Sequence, residues 1–162
     1  MRTCRFLAVS TLFAQLALAQ STEFVGPESC KACHPDAFET WSKGKHSRAK
    51  ESLSETQKKD ARCLSCHSPN ESSTAMAHVT CETCHGGGHR YSADYVMRDA
   101  ELARLVGLVD PTEKACRTCH DDSSPSMSPF DFVEKLKLID HWTVERNKRA
   151  QAQPTQPSGR KK

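Results

Sequence analysis

The sequence predicts a mainly α-helical fold with long loops and little or no β-sheet. Three observations support this prediction. The pattern C-x-x-C-H occurs four times in a chain of 162 residues. Aromatic residues make up only 6% of the chain and charged residues 27%, so side chains alone would build a poor hydrophobic core. The stretches between the motifs contain short segments that end at glycine or proline, which is typical of short helices joined by loops.

Each C-x-x-C-H motif is the attachment signature of haem c. The two thiols form thioethers to the porphyrin, and the histidine that follows becomes the proximal ligand of the iron. A lone C-x-x-C pair could instead be a redox disulfide or half of a zinc site, but neither requires a histidine directly after the second cysteine. The motifs therefore predict four haem c groups. The predicted attachment residues are Cys30, Cys33, Cys63, Cys66, Cys81, Cys84, Cys116 and Cys119. The predicted proximal iron ligands are His34, His67, His85 and His120.

The first segment of the chain, residues 1–19, is predicted to be a secretory signal peptide. It has a basic start, an apolar stretch and the sequence Ala17-Leu18-Ala19 ahead of the cleavage site. The apolar stretch is shorter than the roughly 18 residues that a membrane-spanning helix needs. Cleavage before Gln20 would remove Cys4, so all eight remaining cysteines belong to the motifs. The protein is accordingly expected in the periplasm or secreted, with membrane association peripheral at most.

Residues 20–145 are predicted to form one tetrahaem domain with a net charge of −5. A domain of this size is marginal without cross-links or cofactors, so the haems are expected to form its core, as in a small multihaem cytochrome c. Residues 146–162 carry six Lys and Arg residues and no acid, and their Gln- and Pro-rich composition predicts a disordered tail. Such a basic tail could dock on an acidic partner or a membrane surface, although most tails of this kind are only solvated. Nucleic acid is not expected as a partner of an acidic, exported domain.

The elements in the first half of the predicted domain follow the motifs in order. A short helix after the first motif ends at Gly44 and places His46 just beyond its end. Residues 47–61 are predicted to form a polar surface helix, and residues 68–74 a loop rich in Ser and Asn. The run Gly86-Gly87-Gly88 gives backbone freedom directly after the third motif, where chain and macrocycle crowd together.

Three helices are predicted in the second half. Residues 98–106 form a modest helix that ends at Gly107. Residues 110–113 combine an N-cap at Asp110 with proline at the first helical position and glutamate at the third, and should start the helix that bears the fourth motif. A closing helix is predicted for residues 131–147. One of its faces carries Phe132, Leu136 and Ile139.

The remaining histidines are the predicted distal ligands of iron. Four haems need four such ligands for full bis-histidine coordination, and the chain has four further histidines. They are His46, His78, His89 and His141. For each of them the alternative is a histidine without iron contact, the commoner fate of a lone histidine. Met76 competes with His78, and a methionine ligand would raise the reduction potential of that haem. On a continuous closing helix, His141 would lie opposite the apolar face, so either both faces of that helix are covered or the helix unwinds before His141.

Three stretches of the sequence carry a resemblance to a known family. They are the first motif with Trp41 and the run His46-Ser47-Arg48-Ala49, the run Cys81-Glu82-Thr83-Cys84-His85-Gly86-Gly87-Gly88, and the run Ser128-Pro129-Phe130-Asp131-Phe132 with His141. In these stretches the chain resembles the cytochrome c-554 family of tetrahaem carriers. The resemblance implies a mostly helical fold, haems in stacked pairs and a function in electron transfer. It further implies that His89 serves the first haem, His141 the third and His46 the fourth.

The sequence departs from this family at two places. The type member has no distal protein ligand at its second haem, whereas this chain offers His78 near by. His89 also follows the glycine run sooner than in the type member, which implies a shorter loop.

The preferred interpretation is a periplasmic electron-transfer protein and not an enzyme, because iron with two histidine ligands leaves no position for a substrate. Such a protein would exchange electrons with donor and acceptor proteins as a monomer or weak oligomer. One alternative is a reductase of a small nitrogen species, such as nitric oxide, at an open second haem. Another is a subunit of a polymeric cytochrome wire, in which subunits exchange a distal histidine. Ligation of iron by His78 distinguishes the carrier from the reductase.

Overall fold

The computed structural model describes residues 23–71, 76–121 and 129–152, and these parts are mostly helical without any β-strand. This confirms the predicted fold class. The α-helices are α1 (Pro27–Lys31), α2 (Pro35–Lys43), α3 (Ala61–His67), α4 (Cys81–His85), α5 (Asp94–Met97), α6 (Ala100–Leu105), α7 (Glu113–Arg117), α8 (Phe132–Lys137) and α9 (Trp142–Ala152). Two 3₁₀ turns lie between α2 and α3, at His46–Ser52 and Gln57–Lys59.

Each C-x-x-C-H motif forms one helical turn. Helices α3 and α4 end at the motif histidines, His67 and His85. In the first and fourth motifs the histidine N–H still donates to the carbonyl of the first cysteine, at 2.9 Å in both cases. Since residues three and four positions apart share one side of a helix, the two cysteines and the histidine of each motif lie on the same side of their turn.

The predicted helix after the first motif is observed as α2, which ends at Lys43 with Gly44 as its C-cap. The polar helix predicted for residues 47–61 is wrong, because the chain forms two 3₁₀ turns there and buries Leu53 between them. Serine side chains explain the difference, since hydroxyl groups that bond to the nearby backbone compete with α-helical bonds. Ser47 donates to the carbonyls of Ser42 and Gly44 at 2.9 Å, for example.

The helix predicted over residues 98–106 is observed as α6, which is shorter than predicted and is preceded by a separate helix, α5, that ends at Met97. The carboxylate of Asp99 accepts from the N–H groups of Glu101 and Leu102, both at 3.0 Å, and so starts α6 as a new helix. The predicted end at Gly107 is observed, and this residue has a φ of 125°, in the region that favours glycine.

Helix α7 starts later than predicted. Its N-cap is Thr112 and not Asp110. The carboxylate of Asp110 instead accepts from Arg104 Nε at 2.7 Å. The N-cap prediction failed because this ion pair offers Asp110 a partner outside its own helix.

The closing region is also divided. The predicted helix over residues 131–147 is interrupted between α8 and α9, where Asp140 Oδ1 accepts from the N–H groups of Trp142 and Thr143 at 2.9 and 3.0 Å. His141 thus lies outside both helices and is not held opposite the apolar face. Helix α9 continues to Ala152, past the predicted start of the tail at residue 146, and Lys148 on it forms an ion pair with Asp36 of α2. The predicted signal peptide and residues 153–162 lie outside the described residues.

The hydrophobic core of the described residues is small. The buried apolar side chains are Leu53, Met76, Tyr91, Val96 and Ala103. Eight large apolar residues remain exposed in the described ranges, among them Leu138, Trp142 and Val144 around the start of α9. No helix in the described ranges is long and apolar enough to cross a membrane. Within the described residues, the side chains therefore leave much of the apolar surface uncovered.

Candidate functional site

The structure brings two motif histidines next to two of the predicted distal histidines. The rings of His120 and His46 have centroids 6.0 Å apart, and so do the rings of His85 and His141. Bonds between a metal ion and an imidazole nitrogen are about 2 Å long, so two rings that share one metal ion have centroids about 6 Å apart. Both pairs therefore have the separation that an iron atom between them requires.

Burial favours the form of imidazole that binds metal. Burial lowers the pKa of His46, His85 and His120. A neighbouring positive charge adds to this effect in each case: His120 acts on His46, His141 on His85, and Lys135 on His120. A lowered pKa keeps the ring neutral at physiological pH, and only the neutral ring has a nitrogen lone pair to donate to a metal.

Hydrogen bonds at Nδ1 orient three of the rings. Nδ1 of His67 lies 2.8 Å from the carbonyl oxygen of Ala49. Nδ1 of His85 lies 3.1 Å from the carbonyl oxygen of Val109, and Nδ1 of His141 lies 2.9 Å from that of Ile139. Because a carbonyl oxygen only accepts, Nδ1 carries the hydrogen in each ring, and Nε2 keeps its lone pair. This is the tautomer of a histidine that ligates a metal through Nε2.

His120 differs from these three histidines in its surroundings. Its Nδ1 is buried without a hydrogen-bond partner among the described residues. The ring instead stacks on Phe130, with centroids 4.7 Å apart and an angle of 17° between the planes.

His78 is held in the opposite tautomer. Its Nδ1 accepts from the N–H of Lys50 at 3.2 Å, so in the neutral ring the hydrogen lies on Nε2. Its own N–H donates to Ser68 Oγ at 3.0 Å, and its φ of 76° is unusual for a residue other than glycine. His78 and His67 both contact the 3₁₀ turn His46–Ser52, which places His78 in the neighbourhood of the second motif. This tautomer argues against ligation by His78 through Nε2.

His89 and Met76 are the remaining candidate iron ligands from the sequence. His89 is exposed, its N–H donates to the carbonyl of Glu23 at 3.0 Å, and it forms no ring pair with a described histidine. Its pairing with the first haem stays a prediction. Met76 is buried, with 2% of its surface exposed.

The cysteines of different motifs approach each other in pairs. The thiol of Cys30 forms a hydrogen bond with that of Cys81, which lowers the pKa of Cys30 and, together with burial, raises that of Cys81. Burial and a hydrogen bond from its own thiol to Cys66 raise the pKa of Cys119 to about 11. The first motif thus lies beside the third, and the second beside the fourth. All eight thiols of these motifs are free of disulfides, and the described residues form no cluster of three or more side chains that would hold a bare metal ion.

Glu82, between the cysteines of the third motif, is not among the site residues predicted from the sequence. Its side chain is buried and accepts three backbone hydrogen bonds. An acidic residue inside a motif that is followed by three glycines is the signal that would have drawn attention to it.

A cleft of about 560 Å³ between α2 and α9 has His141 in its wall.

The chain is similar to known haem proteins. Residues 18–86 match the family model of cytochrome c7 and related cytochrome c. Cytochrome c-554 of Nitrosomonas europaea is 28% identical over 154 residues, covering 70% of this chain and 64% of that protein. No solved structure gives a significant match.

Helical turns with C-x-x-C-H motifs, paired histidines and these matches make the chain similar to one class of proteins, the multihaem c-type cytochromes. Within that class, the match to cytochrome c-554 supports the resemblance that the sequence predicted.

Proposed function

We propose that this protein is a periplasmic electron carrier with four covalently bound haem c groups, most of them ligated by two histidines. The observation that carries the proposal is the 6.0 Å separation in both histidine pairs, His46 with His120 and His85 with His141. These are the pairs that the resemblance implies for the fourth and third haems. His89 is the remaining candidate for the first haem.

Each motif would hold its haem with residues on one side of a helical turn. The two cysteines attach the group, and the motif histidine binds its iron through Nε2, with the carbonyls of Ala49 and Val109 fixing the rings of His67 and His85. When bound, haem supplies one-electron oxidation and reduction. A second histidine on the same iron excludes substrate and water, so the site passes electrons without binding a reactant.

Electron donors and acceptors are proposed as the partners, and the predicted signal peptide supports export. The acidic domain would attract partners with a basic face at low ionic strength, and salt would weaken that attraction. The proposed partners are redox proteins, with membrane contact peripheral at most.

Mass spectrometry and electron paramagnetic resonance of the exported protein test this function together. The expected mass is that of the polypeptide from Gln20 plus four haems, and at least three irons should be low-spin in the oxidised protein. Fewer than four haems, or haem that acidified solvent extracts, contradicts the proposal.

A second candidate function, reduction of nitric oxide at an open second haem, is favoured by the tautomer of His78. With the hydrogen on Nε2, His78 has no lone pair there for iron, and the iron of the second haem would lack this ligand. The other haems would supply electrons, and His78 would be placed to give a proton.

Spectra of the His78→Ala variant separate the two candidates. A reductase shows one high-spin iron in the wild type, binds nitric oxide rapidly, and keeps the same spin count after the substitution. If the wild type is wholly low-spin and His78→Ala creates a high-spin iron, His78 is a ligand and the reductase proposal fails. Met76→Leu is the control, since it removes the competing ligand.

A further inference from the structure

Glu82 is the largest side chain that the described part of the chain buries fully, with 2% of its surface exposed. Oε1 accepts from the N–H groups of Val25 and Gly88 at 2.9 and 2.6 Å, and Oε2 accepts from the N–H of Gly26 at 2.8 Å. No Lys, Arg or His in the described ranges forms an ion pair with it. A buried carboxylate is costly even when it is hydrogen-bonded, so one without a cation requires an explanation.

The three hydrogen bonds join the segments that carry the first and third motifs. Val25 and Gly26 lead directly into α1, and Gly26 is its N-cap, whereas Gly88 follows the end of α4. A Cβ atom on Gly88 would lie 2.9 Å from Oε1 of Glu82 and 2.8 Å from Cγ2 of Val25. The two segments therefore approach as closely as glycine permits.

The attachment cysteines of the two motifs meet in the same region. The thiols of Cys30 and Cys81 form a hydrogen bond, and Glu82 follows Cys81 directly in the chain. The Glu82 carboxylate thus accepts hydrogen bonds from both chain segments that carry these attachment cysteines.

We propose that Glu82 positions the first and third haems relative to each other and that its buried negative charge lowers their reduction potentials. This inference rests on the proposed function, because it requires haem at both motifs. Oxidised haem carries one more positive charge than reduced haem, so a nearby negative charge favours the oxidised form. Burial strengthens the effect, since solvent screens a buried charge less than an exposed one.

The electrostatic influence of Glu82 extends to the attachment points. The pKa of the Cys81 thiol is raised mainly by its hydrogen bond to Cys30 and by burial, and the charge of Glu82 acts in the same direction. The hydroxyl of Tyr91, which donates to the carbonyl of Gly86 at 2.7 Å, also has a raised pKa, first because of burial and further because of Cys30 and Glu82.

The test compares Glu82→Gln with Glu28→Gln in the holoprotein. Both substitutions remove one negative charge within two residues of an attachment cysteine, but the side chain of Glu28 is 73% exposed and pairs with Lys31 on the surface of α1. In a redox titration that resolves the haems, Glu82→Gln should raise the equilibrium constant for reduction of the first or third haem at least tenfold, which is about 59 mV for one electron. Glu28→Gln should change it less than twofold. Unchanged potentials in a fully loaded Glu82→Gln protein overturn the proposal.

Haem mapping keeps the proposal testable if Glu82→Gln loads incompletely. Mass spectrometry of haem peptides should then show losses confined to the first and third motifs, and equal loss at all four motifs overturns the positioning role. Glu82→Asp retains the charge and should keep potentials closer to the wild type than Glu82→Gln does. An equal rise in both variants overturns the electrostatic role. A wild type with fewer than four haems contradicts the proposed function. A wild type with four haems, together with unchanged haem potentials in Glu82→Gln, contradicts this inference alone.

Discussion

Among His67, His78, His85 and His141, the hydrogen-bond partner of Nδ1 differs, and this single contact sets what each ring can do. A carbonyl at Nδ1 leaves Nε2 free to bind iron in His67, His85 and His141. A backbone N–H at Nδ1 has the reverse effect in His78. Residue type alone therefore does not distinguish a ligand from a hydrogen-bond donor, because both are neutral imidazole and differ only in the position of one hydrogen.

Replacement of His46 by alanine tests ligation at the scale of one residue. We expect His46→Ala to keep all four haems, to convert one low-spin iron to high-spin and to raise the potential of that haem, because a donor to the oxidised iron is lost. Electron paramagnetic resonance counts the spin states. Lys45→Ala, at an exposed neighbour, is the control and should change nothing. An unchanged low-spin count would make His46 a histidine without iron contact.

At the scale of elements, side-chain caps divide the chain into shorter helices than the hydrophobic pattern predicted. Asp99 starts α6 and Asp140 starts α9, each by accepting two backbone N–H groups. The cap at Asp140 has a consequence for the site, since the interruption before α9 lets the ring of His141 face His85.

Asp140→Ala should therefore destabilise α9 and disturb His141. Loss of an N-cap costs about 1 kcal/mol of unfolding free energy. Guanidinium unfolding of the holoprotein at neutral pH measures it. Asp110→Ala is the control, because it removes an exposed carboxylate that pairs with Arg104 but caps no helix. An equal loss of stability in both variants would contradict the capping role.

The pH dependence of this difference follows from the pKa of Asp140. Hydrogen bonds from Thr143, and also from Trp142, lower that pKa. A carboxyl whose pKa is lowered by folding stabilises the protein above its unfolded pKa of about 4 and loses this contribution as the pH falls through the folded value. The stability difference between wild type and Asp140→Ala should thus shrink in acid. A difference that grows in acid would contradict the assignment.

At the scale of the whole molecule, the part of the chain that the structure describes has too little apolar packing to account for a stable domain by itself. Few apolar side chains are buried in the described residues, and Leu138, Trp142 and Val144 stay exposed. The haems are expected to cover such surfaces and to form much of the interior, so attachment and folding should be coupled.

Cys66→Ser should consequently affect more than one haem site. Cys66 lies beside Cys119 of the fourth motif, so loss of the second attachment should reduce helix content and haem retention at the fourth motif as well. Circular dichroism and haem-peptide mapping measure the two effects. Cys4→Ser is the matched control, because Cys4 is predicted to leave with the signal peptide. A loss confined to the second haem, with unchanged helix content, would contradict the coupling.

The sequence by itself determined the local chemistry of the protein. Four motifs predicted the attachment cysteines and proximal histidines, because the residues of each motif lie within a single helical turn. Composition predicted the small core, and glycine predicted the ends of α2 and α6. These features depend on neighbours within a few residues of the chain.

Only the tertiary structure decided how distant parts meet. The pairing of His46 with His120 spans 74 residues and that of His85 with His141 spans 56, so no local pattern encodes them. The tautomer of His78 depends on an N–H from Lys50, and the burial of Glu82 depends on Val25 and Gly26, far away in sequence. Hydrogen-bond partners at long range are fixed by packing, and packing here depends on the whole chain.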